Sequence, residues 1–179
     1  MREILFRVKD NLRENWIYGS LNLHKNFLPE MVDSNVDYVT SDNLYDVLPD
    51  TVSQKSGLYD INNNPIYEDD IVKVNLAEIT SCDFMCLGKV KFGFFEQDGS
   101  DGEFSGVKCL GFYIDIVVAK SNKETYNTTT KKLPWFTQEI SLAEANEYCE
   151  VVDNVYDNHN FEALAQKVIT EQEYVEFDE

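Results

Sequence analysis

Positive charge is scarce in this sequence of 179 residues: 15 Lys and Arg stand against 33 Asp and Glu, a formal net charge of −18. Binding a phosphate backbone requires a basic face, so this balance argues against direct contact with nucleic acid, and equally against anionic membrane surfaces. A basic protein surface, by contrast, would be attracted. Histidine is as scarce, with only His24 and His159, and neither sits in a nucleophile motif. No glycine-rich phosphate loop of the G-x-x-x-x-G-K-S/T or G-x-G-x-x-G type is present. Cysteine is limited to Cys82, Cys86, Cys109 and Cys149. Cys82 and Cys86 form a C-x-x-x-C pair, but a second closely spaced pair is missing, and Phe84, Met85 and Leu87 around them suit packed apolar thiols better than zinc ligands. Long apolar runs are absent too. The strongest, Phe112 to Ala119, is interrupted by Asp115 and is too short to span a bilayer. The opening MREILFRVKDNL lacks the apolar core of a signal peptide, so the expected location is the cytoplasm, where thiols stay reduced.

What remains is rich in core-forming side chains: 43% of residues are hydrophobic, with 11 Phe, 10 Tyr and 2 Trp. That suffices for a buried core in one domain, placed here over residues 1–167, with an acidic C-terminal tail over 168–179. Ile4 to Val8 and Trp16 to Leu21 read as strands around the polar turn Asp10 to Asn15. Residues 22–50 carry Pro29, Pro49 and several Asp and Asn, and read as a long irregular insertion with room for a short helix. Gly57 suits a positive φ, and Asn62-Asn63-Asn64-Pro65 and Glu68-Asp69-Asp70 suit turns before the strand of Ile71, Val72 and Val74. Val90, Phe92 and Phe94 alternate with Lys89, Lys91 and Gly93, a half-buried strand pattern. The loop QDGSDGEFSG then links this arm to a second strand over Lys108 to Ala119. Asp98, Asp101 and Glu103 in that loop miss the calcium-loop spacing and read as turn formers.

Helical signals are confined to the C-terminal part. Ser141 and Glu144 fit a capping box before a short helix reaching Tyr148, and Glu150 to Tyr156 reads as a strand. Asn158 or Asn160 can cap a further helix over Phe161 to Ile169. From Glu139 to the end there are twelve acidic residues and one basic residue, Lys167, a net of −11, so most of the excess charge is C-terminal.

Three blocks, MREILFRVKDN followed by WIYGSL, TVSQKSGLYDINNNPIYEDDIVKV, and VVDNVYDNHNFEAL, resemble the YopX family of phage and prophage proteins. Members open with an R-E-I-x-F-R strand, continue with a segment like G-L-x-D-x-x-G-x-x-I-Y-E-G-D-I-V, and close on G-N-I-Y-E-N before a short helix. This chain departs from that pattern. Asn62 to Asn64 stand where the family has a turn glycine, Asp69 replaces the glycine of E-G-D, and Asp153 lies in the place of the final Gly-Asn. Asn and Asp tolerate left-handed φ better than other non-glycine residues, so the turns can survive these changes. The resemblance implies a partly open SH3-like barrel, and the residues themselves add a mainly β character, a long N-terminal insertion that is longer than the family leads one to expect, and short C-terminal helices. It also implies a bacterial host cell and no catalytic residue, and neither the resemblance nor the residues call for a cofactor or a metal.

The functional expectation is therefore a non-enzymatic, phage- or prophage-encoded interaction protein. Glu144, Glu147, Glu150, Asp153, Asp157, Glu171, Glu173 and Glu176 would imitate the charge of a nucleic-acid backbone. Tyr148, Tyr156 and Tyr174 would supply contact area. The expected partner is a basic host protein, such as a nucleic-acid-binding nuclease or CRISPR effector, whose channel is basic. The alternative is an accessory β-barrel module that docks or self-assembles as a homo-oligomer within a phage complex, and a solvated acidic face explains the charge without any partner.

Overall fold

The computed structural model describes residues 4–12, 15–23, 29–33, 44–79, 84–97, 107–120, 125–127, 139–158, 160 and 163–164. The chain is mainly β and divides into two compact units, Met1–Gly57 and Leu58–Glu179.

In the first unit, β1 (Phe6–Lys9) and β2 (Trp16–Leu23) form the expected hairpin, with Phe6 opposite Gly19 and Lys9 opposite Trp16. Asp10 closes its turn by accepting from the Leu12 amide, the local bond that makes Asp a turn former. Residues 22–50, read as an irregular insertion, contain two further strands, β3 (Pro29–Asp33) and β4 (Leu44–Asp46), which extend the sheet antiparallel from β2. At the end of this stretch, among the described residues, Pro49–Thr51 forms a 3-10 turn. Thr51 Oγ1 accepts from Lys9 N at 2.9 Å and donates to Leu48 O at 2.8 Å, tying that turn to β1. Then comes β5 (Ser53–Tyr59), whose first residues pair with β1, so the order in this unit is β4-β3-β2-β1-β5. Val8 and Val47 are buried at its centre with Phe6, Ile17, Leu21 and Val52 around them. The Arg7 guanidinium lies 4.6 Å from the Trp16 ring centre, a cation–π contact between two residues of the first family-like block.

The second unit begins as β5 ends. A tight turn returns the chain as β6 (Pro65–Tyr67), beside β5, and a second turn leads into β7 (Asp70–Asn75). Long strands β8 (Met85–Gln97) and β9 (Val107–Lys120) follow, then β10 (Thr125–Asn127), β11 (Glu139–Ser141), the one-turn helix α1 (Leu142–Ala145), a 3-10 turn over Asn146–Tyr148, and β12 (Cys149–Asn154). The sheet order is β10-β9-β8-β7-β12, with β11 also paired to β9. Among the described residues neither sheet closes on itself.

Alternation along β7 and β8 gives this sheet two apolar faces. One carries Val72, Val74, Cys86, Val90, Ile114 and Ile116, and is covered by Ile66, Leu76, Leu142 and Ala145. The other carries Ile71, Leu87 and Val118, against which Val152, Val155 and Leu164 pack. Glycine is required at 88, beside the irregularity that shifts the β8–β9 register: a Cβ there would lie 2.5 Å from Ile114 Cγ2 and 2.8 Å from the Asp115 carbonyl oxygen.

The turn readings are met in detail. Gly57 has φ 85°, and the only non-glycine residues of positive φ among those described are Asn63 and Asp69, both at 63°. These fall where the family pattern has glycine. Ser141, expected to cap α1, makes no side-chain cap bond. It is the last residue of β11, paired with Tyr113, and the strand rather than the cap sets where the helix starts. Asn160 does cap a helical start, its Oδ1 accepting from Ala163 N at 3.1 Å. The hairpin loop after Gln97, both histidines, Cys82, the helix past Leu164 and the boundary at 167 lie outside the described residues. No helix among the described residues is long and apolar enough to cross a membrane.

Candidate functional site

The acidic corner is built by α1, its 3-10 extension and β12. Leu142 and Ala145 are fully buried and fix α1 on the sheet, which turns Glu144 and Glu147 outward to solvent. Tyr148 follows, 39% exposed. All three side chains are exposed.

The remaining candidates are differently employed. Glu150 lies opposite Lys73 of β7, and its Oε1 accepts from Asn62 Nδ2 at 3.3 Å. A bulge between Val151 and Asp153 interrupts β12. Beyond it, Asp153 Oδ1 accepts from Asn154 N at 2.8 Å and its Oδ2 from Asn158 Nδ2 at 3.1 Å. Asp157 Oδ2 accepts from Asn154 Nδ2 at 2.6 Å. Tyr156 Oη donates to Asp69 Oδ2 at 2.7 Å. Asp153, Tyr156 and Asp157 thus hold the turn that ends β12, and their polar atoms are already engaged. Glu171, Glu173, Tyr174 and Glu176 lie outside the described residues.

Sequence reasoning gave Asp60 no role, yet it organises the adjacent turn. Its Oδ1 accepts from Asn62 N at 2.9 Å and Asn64 N at 2.7 Å, and its Oδ2 from Asn64 Nδ2 at 3.1 Å and Val151 N at 2.9 Å. Burial by itself would raise its pKa, but these bonds, led by the one from Val151, outweigh burial and hold the carboxyl below its ordinary value. Ile61 N also donates to Cys149 O at 3.0 Å, and Asn146 Nδ2 to Tyr59 O at 3.1 Å. The Asp60–Asn64 turn is therefore stitched to the strand and 3-10 turn that carry the acidic corner. Asp69 performs a similar service from the neighbouring turn, its carbonyl accepting from Val155 N at 3.0 Å. The signal available in the sequence was Asp followed two and four residues later by Asn, a pattern suited to a carboxylate that gathers the amides of its own turn.

The thiols are packed. Cys86 and Cys149 are buried in the main apolar cluster, and burial, helped by the negative charges of Asp60 and Asp70, pushes the Cys149 thiol up to about 12, where it is inert. Cys86, Cys109 and Cys149 are unbridged, and no group of metal-ligating side chains gathers among the described residues.

One further departure concerns the strand pattern. Val90, Phe92 and Phe94 share a face, but only Val90 is buried, while Phe92 is 48% and Phe94 72% exposed.

Among known proteins, the family model described as YopX protein matches residues 5–161, a span that takes in both compact units and the acidic corner. No curated protein matches the chain.

Proposed function

This chain belongs to the YopX family, and we propose that it is a non-enzymatic interaction protein, encoded by a phage or prophage, that occupies the nucleic-acid-binding surface of a basic protein in the bacterial cytoplasm. The observation that carries this reading is the outward pairing of Glu144 and Glu147 beside the exposed ring of Tyr148, in a chain of net charge −18. Carboxylates spaced by one helical turn next to an aromatic ring offer what a basic channel binds in a nucleic acid, repeated negative charge and a flat apolar surface. A defence nuclease such as a CRISPR effector is the kind of target whose channel has that chemistry.

The test is affinity capture on the full chain from bacterial lysate at low and high salt, followed by competition of the captured protein with DNA or RNA. The captured protein should be basic, should be displaced by nucleic acid, and should bind E144K/E147K several-fold more weakly, chiefly through slower association. The same reversals at Asp98 and Asp101 serve as the control for net charge. Equal loss from both pairs would reduce the acidity to a diffuse field and remove the mimic surface.

A further inference from the structure

The β8–β9 ribbon carries an apolar surface that runs on past the core, beyond Phe112, which packs against it. Val90 faces Ile114 across the ribbon, and both are fully buried. On the same face the next pair outward is Phe92 with Phe112, and then Phe94 with Leu110. Phe92, Phe94 and Leu110 are 48%, 72% and 61% exposed. Phe92 and Phe112 are in ring contact at 5.0 Å, so the patch is continuous rather than scattered. It ends at Glu96, opposite Lys108.

The other face of the ribbon is finished differently. There Gly93 faces Gly111, and Phe95 stacks on Tyr113 at 5.3 Å. A Cβ at Gly93 would meet the Tyr113 ring at 3.9 Å, and one at Gly111 the Phe95 ring at 3.9 Å, ordinary van der Waals contact. Phe95 is accordingly 5% exposed. On one face of the ribbon Phe95 is therefore buried, while Phe92 and Phe94 on the opposite face are exposed to solvent.

The charged surroundings indicate the occupant. Leu142 and Ala145 of α1 pack in the same cluster as Val90 and Ile114, so α1, with exposed Glu144 and Glu147, lies on the side of the sheet that bears the patch. A second copy would bring the same carboxylates, and −18 in total, against this face. A basic protein would bring the complementary charge.

We propose that Phe92, Phe94, Leu110 and Phe112 form the apolar anchor of the interface, docking a basic partner protein that presents an apolar contact ringed by Lys or Arg, with Glu144 and Glu147 as its polar rim. This deepens the preceding reading and rests on it for the partner's charge.

The test uses the full chain and two synthetic helical peptides of equal positive charge, one of Lys and Leu and one of Lys and Ser. The wild-type chain should bind the Lys/Leu peptide about tenfold more tightly. F94S/L110S, whose altered residues are exposed and whose fold is checked by circular dichroism, should erase that preference and leave Lys/Ser binding unchanged. No preference in the wild-type chain, or a preference that survives F94S/L110S, overturns the proposal. So does a concentration-dependent dimer in sedimentation that F94S/L110S abolishes, because the face then belongs to a second copy. E144K/E147K should weaken both peptides. If it weakens neither, the acidic-corner reading fails by itself, and the ribbon is still decided by the F94S/L110S comparison.

Discussion

Replacing Asp60 by alanine removes the acceptor for three backbone amides and one side-chain amide at a single stroke. A hydrogen bond to a charged acceptor contributes about 1.5–3 kcal/mol net. The four do not add, because Asn62 and Asn64 are exposed and water can replace the carboxylate at their amides. Val151 N, on β12, is less easily resolvated. Counting that bond nearly in full and the turn bonds in part gives an expected loss of about 2–4 kcal/mol, or a shift of roughly 1–2 M in a urea midpoint. The pH dependence supplies an independent check. The carboxyl is held below its ordinary 3.8, so it stabilises the fold above that pH, and the contribution is lost as pH falls through the lower folded value. Urea titrations of wild type and D60A followed by circular dichroism, at pH 7 and towards pH 3, should therefore show a gap that narrows on acidification. Asp60→Asn should rescue little, because its amide would point a donor at another donor. A penalty below about 0.5 kcal/mol at pH 7 would mean that the four bonds contribute no more than ordinary surface contacts, and would refute the reasoning.

Gly57→Val should destabilise the chain by about 1–3 kcal/mol, since φ 85° is strained for a β-branched residue, and a melting temperature unchanged within error would contradict this. Asn63→Gly and Asp69→Gly relieve the same backbone strain but should differ in sign. The first should be neutral or slightly stabilising, whereas the second also deletes the acceptor of the Tyr156 hydroxyl and should cost about 1 kcal/mol net. Tyr156→Phe should reproduce the hydroxyl part of that loss in the same thermal assay.

Local chemistry was the legible part of this sequence. Asp and Asn between two alternating runs located the β1–β2 hairpin, and glycine or its nearest substitutes marked the positive-φ positions Gly57, Asn63 and Asp69. Strands β3 and β4 were not legible because they are short and bear Pro, Asp and Glu. Their pairing depends on β2 already offering an edge, which is a tertiary condition. The exposed phenylalanines were misread for a related reason. Alternation identifies which side chains share a face, but where the core stops depends on α1, which is some fifty residues away in sequence. At the candidate site, residue type agrees with the exposure of Glu144, Glu147 and Tyr148. It could not reveal that Asp153 and Asp157 are consumed by their own turn, since a carboxylate in a hydrogen-bonded turn and one in solvent look alike in composition.

That last distinction follows side-chain length. Asp10, Asp60, Asp70 and Asp153 each accept a backbone amide from one to four residues away, and one methylene is the reach that allows it. Glu144 and Glu147, one methylene longer and on a helical surface, project to solvent. A partner would feel the field of every one of these charges, and stripping the aspartates of their donors would unfold the turns. The attraction should accordingly have two parts. One is diffuse, set by the whole −18, and fades beyond about 8 Å at physiological salt. The other is local, made by Glu144 and Glu147 at the rim of the contact, and it too weakens as salt is raised. Salt dependence measured on wild type and on E144K/E147K, with the Asp98 and Asp101 reversals as control, separates them: the E144K/E147K reversal should slow association more than the control at low salt, and its effect should shrink as salt rises.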